Sequence, residues 1–98
     1  MEERPPMILE QLQFMVHPSV YKDWVEFENT EWLPWLKQQR GFLDKQIDYT
    51  AGIATNRIWW KDKKSWDEAA RKKNEMVPKN LKMHNLFGSK VIMLKAMT

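Results

Sequence analysis

Cysteine is absent from the chain, and glycine and histidine are scarce, with three and two residues. Without cysteine there is no disulfide framework, no thiolate zinc site and no cysteine nucleophile, so we predict a reducing, cytoplasmic location. Two histidines are too few for a typical zinc site, and three scattered glycines form no phosphate-binding loop. No apolar run approaches the ~18 residues that span a bilayer. Disulfide-rich, zinc-dependent and membrane-inserted classes of protein are therefore excluded.

The first six residues are expected to form a flexible leader. Two acidic residues and two prolines follow Met1, and no apolar stretch typical of a signal or transit peptide is present. The rest of the chain, residues 7–98, is long enough for one domain only.

Charge is divided unevenly along the chain. Residues 1–49 contain five Lys or Arg and nine Asp or Glu, a net charge of −4, whereas residues 50–98 contain eleven and four, a net charge of +7. A basic half can indicate nucleic-acid binding. Between residues 61 and 75, however, basic and acidic residues alternate, which is typical of a solvated helix face. We therefore expect no nucleic-acid partner.

Tryptophan is abundant, with six residues in a chain of 98. A chain of this size buries only roughly 60 to 65% of its unfolded surface. The indoles must therefore fill a core, a ligand site or an interface with another subunit.

Hydropathy patterns predict four strands and two or three helices. Alternation of apolar and polar residues predicts strands at 8–16, 42–50, 53–61 and 91–97. Apolar residues at three and four spacing predict a helix of about 20 residues that starts at Pro18, is interrupted by Pro34 and ends before Gly41.

Two further helices are predicted in the second half of the chain. One runs from Lys63 to Asn74, with Ser65 or Asp62 as its N-cap. A short one passes through Leu81 and His84 and ends before Gly88.

The predicted order is β-α-β-β-α-(α)-β, which is the ferredoxin-like α+β arrangement with a four-stranded antiparallel sheet. Its helices cover one face of the sheet only. The other face is not uniformly polar, because it contains Leu9, Met15 and Trp59. A second copy of the chain is the simplest cover for that face, so we predict a homodimer.

Four ionisable residues fall on predicted apolar faces. Glu28, with Glu31, projects into the apolar arc of the first helix, Glu10 interrupts the apolar face of the first strand, and His84 shares a face with Leu81. A carboxylate among indoles would have a raised pKa and could act as a general base. The alternatives are that the glutamates pair with an arginine or reach solvent, and that the imidazole is half exposed.

The tryptophans suit a flat ligand as well as a core. The predicted ligand-binding residues are Trp24, Trp32, Trp35, Trp60 and Glu10, and core or interface packing is the alternative for the indoles. Trp59 and Trp60 are adjacent in a strand and therefore face opposite sides of the sheet.

Several stretches are similar to a known superfamily. They are residues 31–43 (EWLPWLKQQRGFL), residues 57–61 (RIWWK) and the Ser65-Trp66 pair that follows. These residues resemble the antibiotic-biosynthesis-monooxygenase-like superfamily of dimeric α/β barrels, and within it a small cyanobacterial-type family. The likeness covers residues 7 to about 95.

The resemblance implies a homodimer whose sheets pack face to face, with a pocket between sheet and helices in each protomer. Members of the superfamily include cofactor-independent oxygenases of polycyclic phenols and haem-degrading enzymes. The haem-degrading branch has an Asn on the first strand, a Trp on the second helix and a His after it. This chain has Glu10 at the first position and Glu68 or Ala69 at the second, and His84, the one candidate for the third position, has a longer spacing. The resemblance therefore does not favour haem degradation.

We expect a dimer that binds a flat apolar or phenolic small molecule in a tryptophan-lined pocket. In the enzyme case it is a cofactor-independent monooxygenase, in which Glu28 or His84 removes a phenolic proton. The alternative is a non-catalytic dimer that binds haem, with His84 as the iron ligand, or a protein partner.

Overall fold

The computed structural model describes residues 7–97, so the predicted leader, residues 1–6, lies outside the described residues. The strands are β1 (Ile8–Val16), β2 (Phe42–Thr50), β3 (Ile53–Trp60) and β4 (Val91–Met97). The helices are α1 (Tyr21–Phe27), α2 (Leu33–Lys37), α3 (Lys63–Arg71) and α4 (Val77–Phe87). The strands form one antiparallel sheet in the order β2-β3-β1-β4. The predicted α+β, ferredoxin-like fold is confirmed.

The predicted long helix is divided by a π-helical turn, Glu28–Trp32, between α1 and α2. Pro34 has no N–H, so the carbonyl four residues earlier loses its usual helical donor. The N–H of Leu33 instead bonds to the carbonyl of Glu28, five residues earlier. Pro34 therefore interrupts the helix as predicted, through a wider turn that begins at Glu28.

The register of β1 decides which residues face the helices. Its helix-covered face holds Glu10, Phe14 and Val16, all buried. Glu10 lies opposite Ile58 of β3, and Phe14 lies opposite Ala54. The other face carries Gln11, Gln13 and Met15. The alternation predicted for this strand, with Glu10 on the apolar face, is confirmed.

Two apolar clusters hold the helices on the sheet. The first contains the buried residues Trp35, Leu36, Ile58, Trp60, Ala69 and Met76. The second contains Phe14, Val16, Trp24, Ala54 and Val91. Burial of each large side chain contributes roughly 1.5 to 3 kcal/mol, so the three buried indoles, Trp24, Trp35 and Trp60, and their neighbours supply much of the stability of this small domain.

Helix α3 begins after Asp62, whose Oδ1 accepts the N–H of Ser65 at 2.8 Å. Of the two predicted N-caps, Asp62 is therefore the one used. The helix ends at Arg71 rather than Asn74, and a short 3₁₀ segment, Lys73–Met76, leads into α4. Met76 is completely buried and fixes this segment to the core.

Candidate functional site

A cavity of about 390 Å³ lies between the helices and the sheet. Its apolar walls are Leu12, Phe14, Leu36, Ile58, Met83, Met93 and Ala96, and three indoles complete them, Trp32, Trp35 and Trp60. Met93 and Ala96 belong to β4 and are exposed, so the cavity opens between this edge strand and α4. Its size and apolar lining suit a small flat molecule.

One ion pair forms the polar end of the cavity. The side chain of Glu10 is 5% exposed, and its Oε2 accepts a hydrogen bond from Nζ of Lys73 at 2.6 Å. Its Oε1 accepts the indole N–H of Trp60 at 3.1 Å. Both carboxylate oxygens therefore have charged or polar partners, as a buried carboxylate requires.

Lys73 reaches Glu10 from the 3₁₀ segment that follows α3. Its side chain is 40% exposed, so the ammonium group lies between the cavity and solvent. The sequence did not single out Lys73, because six other Lys and Arg residues lie directly before it, within residues 57–72. The only signal was indirect, since a carboxylate on an apolar strand face needs a cationic partner from another element.

Two of the indoles lie on either side of Pro34: Trp32 ends the π turn, and Trp35 belongs to α2. Trp32 and Trp35 meet edge to face with ring centroids 6.2 Å apart, and the N–H of Trp35 donates to Oε2 of Glu75 at 3.2 Å. Trp60 packs edge to face on Phe42, with centroids 5.9 Å apart. Such pairs are more rigid than a set of aliphatic side chains, so the indole walls keep their shape.

Of the predicted ligand-binding residues, the structure brings Glu10, Trp32, Trp35 and Trp60 to the cavity. Trp24 lies elsewhere. It is fully buried in the second apolar cluster, where its ring packs 5.4 Å from that of Phe14. Its position at the centre of α1 points it at the middle of the sheet instead of the cavity.

Glu28 is buried as predicted, but it does not line the cavity. Its side chain is 2% exposed, and its Oε1 accepts bonds from Nζ of Lys45 at 3.1 Å and from Nδ2 of Asn56 at 2.6 Å. Burial raises the pKa of Glu28 above 4.5, although Lys45 and Asn56 act in the opposite direction. Arg57, the arginine of the alternative in which the glutamates form an ion pair, instead pairs with Asp48 on the other face of the sheet.

His84 is exposed, so of the two alternatives for this residue the structure has the exposed imidazole rather than the buried one. Helix α4 has no buried residue, and Leu81, the neighbour of His84 on that face, is 59% exposed. The rotation of α4 follows from contacts that the apolar pattern does not contain. Phe87 packs edge to face on Phe27, and two lysines of the helix bond to one glutamate of the π turn.

That glutamate is Glu31, three positions after Glu28 in the sequence. Its two oxygens lie 2.7 Å from Nζ of Lys79 and 2.5 Å from Nζ of Lys82. Hydrogen bonds from these lysines lower the pKa of Glu31 to about 2. Glu31 therefore remains charged at any physiological pH and ties α4 to the π turn.

The cavity does not fit haem. No histidine reaches the cavity, because His84 is on the outer side of α4 and His17 precedes the first helical turn. Within residues 7–97, no group of three His, Asp or Glu side chains is placed to hold a metal ion. The alternative in which His84 ligates haem iron in this pocket therefore has no geometric support.

Three solved structures have the same arrangement of helices on a four-stranded sheet. A monooxygenase from the gene ActVA-Orf6 of Streptomyces coelicolor, solved with the ligand Nanaomycin D, matches with a TM-score of 0.62. The match has 17% sequence identity and covers 96% of this chain and 85% of that one. This chain shares the fold of that monooxygenase.

Two other solved structures are similar to this chain in fold. MupZ from Pseudomonas fluorescens has a TM-score of 0.63 at 8% identity, over 92% of this chain and 68% of that one. A conserved protein from Methanosarcina mazei Go1 has a TM-score of 0.61 at 16% identity, over 93% and 86%. These identities establish the fold alone. The likeness to a cyanobacterial-type family stays a prediction.

Comparison with protein-family models and with curated protein sequences gave no match. Among the helices described for residues 7–97, none has the length and apolarity needed to cross a membrane. The choice of ligand for this chain is therefore argued from the cavity itself.

Proposed function

We propose that this chain binds a small, flat, apolar or phenolic molecule in the indole-lined cavity and oxidises it with dioxygen, without a resident cofactor. The observation that carries the proposal is the cavity, whose walls are apolar apart from the pair of Glu10 and Lys73 and the amide of Asn80 at its edge. A solved neighbour with the same fold holds Nanaomycin D, which agrees with a small-molecule role for this fold.

In the sequence-based hypothesis, Glu28 or His84 removes the phenolic proton. Neither residue lines the cavity, so we assign this role to Glu10. A phenolic hydroxyl that enters the cavity would donate to Oε2 of Glu10, the oxygen that Lys73 now occupies. Trp60 would keep Oε1 in place. The carboxylate accepts the proton, and the ammonium group of Lys73 stabilises the resulting phenolate.

The oxidation step balances with dioxygen as the only co-reactant. In an anthrone, the ring CH₂ group becomes a carbonyl group. One oxygen atom of dioxygen enters the product, and the other leaves as water with the two hydrogens of that CH₂. The electrons come from the phenolate, which is easier to oxidise than the neutral phenol. The apolar walls exclude bulk water from the anion.

The cavity predicts that Ala96→Trp weakens ligand binding at least tenfold. Ala96 lies at the mouth, and an indole at this position would fill the opening. Dithranol, a dihydroxyanthrone, and β-naphthol are suitable probes, and quenching of tryptophan fluorescence measures their binding. Leu86→Trp is the matched control, because Leu86 is 60% exposed on α4 and does not line the cavity. Equal binding by the wild type and both variants would remove the cavity from the proposal.

Oxygen uptake with dithranol tests the enzymatic half of the proposal. The wild type is expected to consume dioxygen faster than the uncatalysed reaction, and the anthraquinone product is measured by absorbance.

One observation favours a non-catalytic alternative. Both carboxylate oxygens of Glu10 already accept hydrogen bonds, so a ligand hydroxyl group competes with Lys73 and Trp60 for them. Tight binding with no added uptake would favour a binding protein.

We also propose that the chain is a homodimer with the uncovered faces of its sheets in contact. Met15 lies on that face near the end of β1, 47% exposed, with Ile53 and Ile92 as its neighbours on the adjacent strands. Sedimentation is expected to give the mass of two chains. Met15→Lys should shift the equilibrium toward monomer at least tenfold, because two lysines would meet in an apolar interface. A monomeric wild type would contradict the dimer.

A further inference from the structure

We infer that the cavity selects uncharged ligands, and that Glu10 and Lys73 together set this preference. The inference rests on the proposed binding function and adds the charge class of the ligand. Among the residues that line the cavity, these two are the only ionisable ones. Their charges are opposite, and 2.6 Å separates the carboxylate oxygen from the ammonium nitrogen. The cavity therefore has no net charge to offer to an ion.

An ionic ligand would have to separate this pair. An anion needs Lys73, and its arrival leaves the buried carboxylate of Glu10 without its cation. A cation needs Glu10, and it displaces Lys73 or approaches it as a like charge. The remaining walls are apolar and cannot replace the lost water shell of either ion.

An uncharged ligand with a hydroxyl group leaves the pair intact. An ammonium group has three N–H donors, and Lys73 uses one of them on Glu10. The hydroxyl oxygen can accept a second donor from Lys73 while the hydroxyl proton points to Glu10. All the charges then keep their partners.

The two members of the pair differ in their freedom to move. The side chain of Glu10 is 5% exposed. It belongs to β1, an interior strand of the sheet, so it cannot reach solvent. Lys73 is 40% exposed on a short 3₁₀ segment and can turn outward. Removal of Lys73 must therefore change the preference more than removal of Glu10.

Three naphthalenes of similar shape test the inference: β-naphthol is neutral at neutral pH, β-naphthoate is an anion and β-naphthylmethylammonium is a cation. In calorimetric titrations, the wild type is expected to bind the naphthol at least tenfold more tightly than either ion. Lys73→Met should bind the ammonium compound at least tenfold more tightly than the naphthol. Glu10→Gln should improve binding of the carboxylate severalfold, since Lys73 is then unpaired.

Two further variants complete the set. The double variant Glu10→Gln with Lys73→Met is expected to prefer the naphthol again. Lys72→Met is the control, because Lys72 is exposed and does not line the cavity, and it should keep the wild-type order. The near-ultraviolet circular dichroism of the tryptophans reports whether each variant is folded. Glu10→Gln still accepts the Trp60 N–H, so it provides a folded test even where Lys73→Met unfolds.

The outcomes distinguish a failure of the charge selection from a failure of the proposed ligand binding. A wild type that binds β-naphthoate or the ammonium compound as tightly as β-naphthol overturns the charge selection and leaves ligand binding intact. An unchanged order of affinities in both single variants would overturn the role of the pair. A folded wild type that binds none of the three compounds would overturn the proposed function, and the inference with it.

Discussion

Replacement of Lys45 by methionine is expected to lower the free energy of unfolding by about 3 to 5 kcal/mol at neutral pH. The side chains of Lys45 and Glu28 are 4% and 2% exposed, and their charged atoms lie 3.1 Å apart. Methionine replaces the stem of the lysine without its charge. The carboxylate of Glu28 would remain buried with Asn56 as its one hydrogen-bond partner, and its Oε2 already has none.

The loss is expected to depend on pH. Burial already raises the pKa of Glu28 above 4.5, and Lys45 opposes that rise, so without Lys45 the folded-state pKa rises further. A folded-state pKa above the unfolded value means that the native state binds the proton more tightly. The stability from protonated Glu28 is then fully present below pH 4.5 and is lost as pH rises through the folded pKa. The deficit of Lys45→Met should therefore be small in acid and largest at neutral pH.

Urea unfolding of wild type and variant over this pH range measures the deficit. The double variant Lys45→Met with Glu28→Gln is the control, because it removes both charges and keeps an oxygen for Asn56. Its stability should lie within about 1.5 kcal/mol of the wild type, since an uncharged replacement of a buried pair is often nearly neutral. A single variant that costs less than about 1 kcal/mol, or a deficit that does not change with pH, would mean that the pair is solvated.

The sequence predicted the strands because their signals are local. Alternation over nine residues placed Glu10 on the helix side of β1, and the missing N–H of Pro34 predicted the interruption between α1 and α2. Both features need only neighbours in the chain. The ferredoxin-like arrangement followed from these elements, whereas a pocket between sheet and helices was implied by the resemblance to the superfamily.

The ionic partners were not predictable in the same way. Lys73 lies 63 positions after Glu10, and Lys45 lies 17 positions after Glu28, on the face of β2 that it shares with Ile47 and Tyr49. Which lysine meets which carboxylate depends on how the elements dock. The rotation of α4 is a similar case, since its apolar residues are spread around the helix and contacts with Glu31 and Phe27 determine its buried side.

Gly41→Ala is expected to destabilise the chain by about 3 kcal/mol. Gly41 has a φ of +83°, which a residue with a Cβ atom adopts at a cost of about 1 kcal/mol. The added methyl group would also lie 2.0 Å from Oγ and 2.3 Å from Cβ of Ser65. Ser65 cannot move aside easily, because it is only 7% exposed and its N–H donates a hydrogen bond to Asp62. The start of α3 must therefore shift away from the loop before β2.

Gly52→Ala separates the two contributions to this loss. Gly52 has a similar φ of +79°, but no atom lies within 4 Å of its added Cβ, so its cost is expected to be about 1 kcal/mol. Ser65→Gly supplies the second test, because it removes both atoms that the new methyl group would meet. In that background, Gly41→Ala should cost about 1 kcal/mol, and the coupling in the double-mutant cycle should be about 2 kcal/mol. Equal losses for Gly41→Ala and Gly52→Ala would show that backbone conformation alone matters and that α3 does not pack tightly on Gly41.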